Sequence, residues 1–229
     1  MTDPIEIDIY VDGSSRHNGP LVDPYCGYGV YYGPDDKNNV GVAMSSIDLV
    51  DENIAPNGPR AELAAIRHAL RDVLAFNSSS VKHTILSDSK SSVEAITVRS
   101  KKWVKNGWKS SNGAAVQNRD LIMECLQLHK EVNRNYRSNG WGPLYLFHVH
   151  GHKGVKGNME ADRLAILGAD KDKLLRDEIE NRSFTNGEKH LKELLEEEEV
   201  QGYNKIGWFS VLSFACFVYT LPMLERSKR

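Results

Sequence analysis

Four acidic residues stand where the sequence predicts that strands end or helices begin, so that side chains from different elements can meet. They are Asp12, Glu62, Asp88 and Asp162. Carboxylates without accompanying cysteine or histidine clusters are the hard oxygen ligands that Mg²⁺ or Mn²⁺ prefers. Two such ions about 3.5–4 Å apart can hold the attacking and leaving oxygens of a phosphodiester. These residues therefore indicate metal-dependent phosphoryl transfer.

The sequence singles out one of these acids more strongly than the others. Asp12 or Asp88 taken alone is better explained as a turn or surface carboxylate. Glu62 lies four residues before Ile66 and seven before Ala69, on the apolar stripe of a predicted helix. A carboxylate that points inward is unfavourable unless another group compensates its charge, so Glu62 is the strongest single candidate.

Composition limits the class of protein and its compartment. The 229 residues are 40% hydrophobic and 26% charged, which predicts a globular chain with a buried core. A net charge of -2 does not indicate a general nucleic-acid binder, so a polyanion would need local positive charge. The three cysteines, Cys26, Cys125 and Cys216, have no metal-ligand spacing and are odd in number. This argues against a disulfide framework or a zinc site and predicts an intracellular, reducing compartment, cytoplasm or nucleus.

The predicted elements form one layered domain. Residues 5–11 alternate between apolar and polar side chains, which predicts a strand, and the DGSS run at 12–15 predicts a turn. Two more strands, a helix opening near Pro59, a short strand before Asp88, further helices and a last strand follow. This order predicts an α/β (mixed α+β) fold with a five-stranded mixed sheet flanked by helices, in a domain spanning residues 4–170.

Four motifs in this order resemble those of the type 1 ribonuclease H family. They are DGSS after the first strand, RAEL at a helix start, SDS after a short strand, and GHKGVKGNMEADRLA near the end, which is the most specific. The resemblance covers about Ile5 to Ala169 and implies a ribonuclease H-like fold, without the N-terminal hybrid-binding module of many relatives. It also implies two Mg²⁺ ions per site, with Mn²⁺ as a substitute. The expected activity is hydrolysis of the RNA strand of RNA/DNA hybrids, leaving 5′-phosphate and 3′-hydroxyl ends.

The resemblance assigns roles to individual residues. Asp12, Glu62, Asp88 and Asp162 would be both catalytic residues and metal ligands, and His152 would assist proton transfer to the leaving 3′ oxygen. Its neighbours His148 and His150 are expected to be structural. Asn158 would organise the helix entry and the metal site, and Gly151, Gly154 and Gly157 would permit the turn before it.

A basic run is the candidate substrate groove. Residues 99–119 contain six lysines and arginines, no acidic residue, and the tryptophans Trp103 and Trp108. From the residues alone, a solvated lysine-rich helix with core tryptophans is an equally good explanation. The resemblance implies that Trp108 and Ser111 contact the DNA strand, that Asn118 holds a DNA phosphate, and that Asn18 contacts the duplex. Departures from the family at Asn57-Gly58-Pro59, Ser91 and Arg99 predict weaker or altered strand discrimination.

The C-terminal part differs in composition from the domain. Residues 171–205 predict a charged helical linker, and 206–224 are nineteen residues without a formal charge. This apolar segment is either a tail anchor in a membrane or a helix that docks on the domain. The chain is expected to be a monomer with no obligate protein partner. The alternative is a catalytically weak or silent duplex-binding, membrane-associated adaptor on the same fold, although four intact acids favour the enzyme.

Overall fold

The computed structural model describes residues 3–17, 24–48, 55–151 and 154–200. The chain divides into two compact units, Met1–Leu175 and Arg176–Arg229. The first unit contains the sheet and the four candidate acids.

The sheet has five strands and mixed polarity. The strands are β1 (Ile5–Arg16), β2 (Tyr25–Tyr31), β3 (Val40–Ala43), β4 (Val81–Ser87) and β5 (Tyr145–His148), in the spatial order β3-β2-β1-β4-β5. The first three are antiparallel neighbours, and β4 is parallel to both β1 and β5. The predicted five-stranded mixed sheet is therefore confirmed. Because Val11 pairs with Ser87, Asp12 and Asp88 follow at the same level of two parallel strands.

Six helices are present among the described residues. They are α1 (Ser45–Asp48), α2 (Gly58–Phe76), α3 (Lys90–Glu94), α4 (Ser100–Lys105), α5 (Arg119–Ser138) and α6 (Lys156–Val200). One π-helical segment, Ala95–Arg99, joins α3 to α4. The helix predicted to open near Pro59 is confirmed as α2. Its apolar stripe, including Ile66 and Leu70, is buried in the same core as Ile9 and Val11 of β1.

The turn predicted at residues 12–15 is wrong, because β1 continues through them to Arg16. Gly13 pairs with Tyr28 of β2, and the ladder extends past it. A side chain at this position would place its Cβ 2.4 Å from the backbone nitrogen of Glu62, well inside van der Waals contact. Gly13 is therefore needed for the close approach of α2 to β1, and the sequence signal that predicted a turn has this other cause.

The beginning of α6 approaches β2 through glycines as well. A Cβ at Gly27 would lie 2.0 Å from the nitrogen of Ala169, and one at Gly29 would lie 2.2 Å from the carbonyl oxygen of Ala161. Only glycine permits backbone-to-backbone packing at these distances. This packing fixes the turn of α6 that carries Asp162, the residue after Ala161.

A buried carboxylate ties α6 to the far edge of the sheet. Asp172 is fully buried, and its two oxygens accept from the backbone nitrogens of Cys26 (3.0 Å) and Ser45 (2.6 Å). The predicted domain boundary after residue 170 falls before this contact, and that boundary remains a prediction.

We expect Asp172→Ala to destabilise the protein by about 2 kcal/mol, because two backbone donors lose a charged acceptor in a buried site. Chemical denaturation followed by circular dichroism measures this loss. The matched control is Asp170→Ala, whose carboxylate pairs with Arg16 at an exposed site and should contribute less than about 0.5 kcal/mol. Equal stabilities for the two variants would contradict the anchoring role of Asp172.

The apolar segment at 206–224 and the end of the predicted linker, 201–205, lie outside the described residues. Within the described part of the chain, α6 continues as helix to Val200. None of the described helices has the length and apolar character that a membrane crossing requires.

Candidate active site

Asp12 enters the site from the central strand. It is only 6% exposed, and its Oδ1 accepts a hydrogen bond of 2.8 Å from the nitrogen of Gly13. Its strand neighbour in the antiparallel direction is Gly29, over which α6 passes closely. The side chain is therefore held at the junction of β1, α2 and α6.

Glu62 is placed by the beginning of α2. Asn57 caps this helix, since its Oδ1 accepts from the nitrogen of Arg60 at 2.9 Å, and Pro59 occupies the first turn. The contact of Gly13 with the backbone of Glu62 then sets the helix directly against β1. The inward orientation that helical spacing predicted for Glu62 is confirmed, because its Oε2 is buried. Among the described residues, this oxygen has no hydrogen-bond partner.

Asp88 directly follows β4 and is held from two sides. Asn158 in the first turn of α6 donates from Nδ2 to its Oδ2 at 3.1 Å. A Cβ at Gly151 would lie 2.5 Å from the same oxygen, so the chain leaving β5 passes against Asp88. The carbonyl of Ser87 accepts from the nitrogen of Val149, which secures that passage.

The three carboxylates converge. Asp12, Glu62 and Asp88 each offer an oxygen within 4.8 Å of the others. Burial and the charge of Asp88 raise the pKa of Asp12 to about 7, and the charge of Asp162 contributes in the same direction. The pKa of Glu62 is raised well above its usual value, first by burial and then by the charges of Asp12 and Asp88. Asp162 is outside the group of three but close enough for its charge to affect Asp12.

This arrangement fits a divalent cation. Carboxylates that are partly buried and close together repel one another. Their ionised forms are unfavourable unless protons or a cation compensate the charge. The unpaired Oε2 of Glu62 is a buried oxygen acceptor that such a cation would satisfy. The donors are all carboxylate oxygens, which suits Mg²⁺ or Mn²⁺ better than zinc or copper.

Beside the acids lies a groove of about 520 Å³. Its lining includes the predicted substrate residues Ser111 and Asn118, together with Ser91 and Trp103. Trp108 is outside this lining, but its backbone nitrogen donates to the carbonyl of Trp103 at 2.7 Å. The basic run is thus a folded wall of the groove, with both tryptophans partly buried against the core.

Two predicted site residues, His152 and Asn18, lie outside the described residues. Gly151, the residue before His152, packs on Asp88. Of the three glycines expected to permit the turn, Gly154 has the positive φ of 78° that requires it, whereas Gly157 lies within α6. A Cβ at Gly157 would lie 2.3 Å from the ring of Tyr10, so the turn is the wrong explanation for this glycine.

Three supporting residues were not found from the sequence. Gly13 stands in a sequence typical of a turn, and Asn57 belongs to a segment that departs from the family pattern. Asn57 Oδ1 also accepts from Nδ2 of Asn118 at 3.3 Å, which links the helix that carries Glu62 to the groove. Arg60, 3% exposed, donates to both oxygens of Asp120 at 3.0 and 2.8 Å. The sequence allows Arg60 to pair with an acid, but no spacing in it identifies that acid as Asp120.

Comparisons with known proteins agree with this geometry. The family model for RNase H matches residues 5–170. A ribonuclease H of Schizosaccharomyces pombe is 37% identical over 161 residues, 70% of this chain and 52% of that protein. A ribonuclease H of Ruthia magnifica is 32% identical over 168 residues, 72% of this chain and 97% of that protein. The PFV RNase H domain has the same fold, with a TM-score of 0.53 at 17% identity, covering 72% of this chain and 95% of that one.

This chain spans about half the length of the fungal and mammalian relatives that it matches. The match to the family model nevertheless runs through the whole described sheet and all four acids. The chain therefore belongs to the RNase H family.

Proposed function

We propose that this chain is a metal-dependent endonuclease that hydrolyses the RNA strand of RNA/DNA hybrids and leaves 5′-phosphate and 3′-hydroxyl ends. Family membership supports the substrate class, since the relatives are named ribonuclease H. The observation that carries the proposal is the convergence of Asp12, Glu62 and Asp88 from β1, α2 and the end of β4.

The four acids would hold two Mg²⁺ ions, with Mn²⁺ as a substitute. When bound, these ions supply charge stabilisation for the phosphodiester and a nucleophilic water at neutral pH. Asp12, Glu62 and Asp88 would form the converging part of the ligand set, and Asp162 would complete it from α6. Asn158 acts as a positioning residue, because its hydrogen bond to Asp88 fixes one carboxylate oxygen.

His152 would hold and transfer the proton that the leaving 3′ oxygen requires. An imidazole titrates in the range where such a transfer is reversible at neutral pH. Support comes from the residue before it, since Gly151 lies against Asp88.

The groove would receive the DNA strand. Trp108, Ser111 and Asn118 would contact it, and Asn18 would contact the duplex. The departures from the family would alter strand discrimination: Ser91 leaves the groove without an aromatic ring there, and the Arg99 guanidinium is engaged by Glu94 at 2.6 Å.

The test of this function is cleavage of a hybrid whose RNA strand carries a 5′ label, with Mg²⁺ present. We expect cleavage of the hybrid and none of the same RNA in double-stranded RNA. Ligation of the products identifies the 5′-phosphate and 3′-hydroxyl ends. Hybrid binding without cleavage would favour the silent adaptor instead.

We further propose an intracellular, reducing location with the apolar segment 206–224 as a membrane anchor. The nineteen uncharged residues support it, as do the basic residues that follow, Arg226, Lys228 and Arg229. Detergent-free fractionation of the full chain should then find it in the membrane pellet, whereas a chain ending at residue 200 should stay in the supernatant. Equal distribution of both forms would contradict the anchor.

A further inference from the structure

Arg119, the first residue of α5, lies over the ring of Trp108. Its guanidinium carbon is 5.2 Å from the ring centroid, and its Nε donates to the sulfur of Met123 at 3.4 Å. The side chain of Arg119 is exposed at the same end of α5 as Asn118, which lines the groove. An exposed arginine is thus held in a defined place beside the candidate substrate channel.

The charge of Arg119 is not neutralised by the acids closest to it in sequence. Both oxygens of Asp120 are engaged by the buried Arg60. Glu124, one turn further along α5, pairs with Arg67 and Arg71. Within the described part of the chain, the two terminal nitrogens of Arg119 have no hydrogen-bond or ion-pair partner.

The chemistry of this arrangement favours a phosphate. A guanidinium over an aromatic face keeps its N–H groups directed outward, where they can donate to two oxygens of one anion. A weak sulfur acceptor at Nε does not compete for these donors. Because the neighbouring acids are engaged elsewhere, an approaching phosphodiester meets an uncompensated positive charge.

We infer that Arg119 binds one backbone phosphate of the DNA strand and that Trp108 orients it for this contact. The inference rests on the proposed function, because it assumes that the groove receives a hybrid. It adds a substrate-binding residue that the motifs did not identify. In this view Trp108 acts in part by holding Arg119, so charge alone does not replace the arginine.

The test measures hybrid binding over a series of KCl concentrations, with a fluorescent hybrid and an Asp88→Asn background that preserves the substrate. Arg119→Gln should weaken binding about three- to tenfold and reduce the slope of log Kd against log [KCl] by about 0.7 to 0.9, the contribution of one phosphate contact. Arg119→Lys should retain the slope but still bind about two- to fivefold more weakly, because an ammonium lacks the planar fork. When Asp88 is intact, the two Arg119 substitutions should raise KM by the factors given for binding and leave kcat unchanged.

Arg134→Gln is the matched control. Arg134 is exposed on the same helix, fifteen positions further on, or about 22 Å along its axis. Arg134→Gln removes the same charge as Arg119→Gln. If the effect of Arg119→Gln is the loss of a local contact, Arg134→Gln should leave the slope of log Kd against log [KCl] unchanged within error.

Hybrids with single neutral methylphosphonate linkages locate the contact. With the linkage at one position in the DNA strand, wild type and Arg119→Gln should bind the hybrid equally well. No position of the linkage in the RNA strand should have this effect. An unchanged slope for Arg119→Gln, or equal slopes for both glutamine variants, would overturn the inference while leaving the nuclease proposal intact. If the chain with Arg119 intact bound no hybrid, both proposals would fail.

Discussion

Asp88→Asn should reduce the rate of hybrid hydrolysis by about a thousandfold or more. The substitution removes one of three converging carboxylate charges and changes little in shape. An asparagine oxygen can still accept from Nδ2 of Asn158, so the chain around β4 should keep its position. The loss would therefore report on metal binding and not on folding. The measurement is single-turnover cleavage of the labelled hybrid at saturating Mg²⁺.

The control for this variant is Asp170→Asn, which neutralises an exposed carboxylate of the same domain. It should cleave at the wild-type rate. Circular dichroism should show the same spectrum for all three proteins. If Asp88→Asn cut the hybrid as fast as wild type, the carboxylate mechanism would be wrong even if the fold and the family are right.

The sequence predicted the sheet and the inward position of Glu62 because both depend on local patterns. Alternation over residues 5–11 shows a strand with one buried face, and helical spacing shows that Glu62 points inward. Both patterns persist in the fold, since each follows from the geometry of a single element. Convergence of the acids required more, because only the parallel pairing of β1 with β4 sets Asp12 beside Asp88.

What local patterns did not predict are contacts between elements distant in sequence. Gly13 and Gly157 each stand in a sequence typical of a turn. Gly13 is instead needed because the backbone of α2 approaches it closely, and Gly157 because the ring of Tyr10 does. A glycine looks the same in the sequence whether a turn or a close contact requires it. Only the residue that lies against it in the fold distinguishes the two causes. The pairing of Asn57 with Asn118 is similar, because an amide that caps a helix gives no sign of a second bond 61 positions away.

The raised pKa values predict how stability depends on pH when no divalent cation is present. In the folded protein the pKa of Asp12 is raised to about 7 from a usual value of 3.8. Below pH 4 the carboxyl is protonated in both states and carries no penalty. Between pH 4 and 7 the unfolded chain releases this proton while the folded chain retains it, so the free energy of unfolding falls as pH rises. Above pH 7 both states are ionised and the penalty is constant.

Asp12→Asn should remove that penalty and thus stabilise the metal-free protein at pH 8. One pKa unit corresponds to about 1.4 kcal/mol, which sets an upper limit of about 4 kcal/mol, and we expect about 3. The gain should vanish near pH 4, where wild type is protonated as well. It should also shrink when Mg²⁺ is added, because a cation bound only by the folded wild type stabilises it by mass action. Urea unfolding in EDTA at several pH values measures the gain.

Asp8→Asn is the control for charge alone, since Asp8 is an exposed carboxylate on the same strand. It should change stability by less than about 0.5 kcal/mol at any pH, as exposed charges do. A stabilisation by Asp12→Asn that was equal at pH 4 and pH 8 would show that ionisation of Asp12 is not its cause. A destabilisation at pH 8 would show that the three carboxylates do not repel one another in the folded chain. With the expected sign, the same repulsion predicts that the site would gain stability on taking up a cation. Under the proposed function, Asp12 destabilises the metal-free fold because it is a metal ligand.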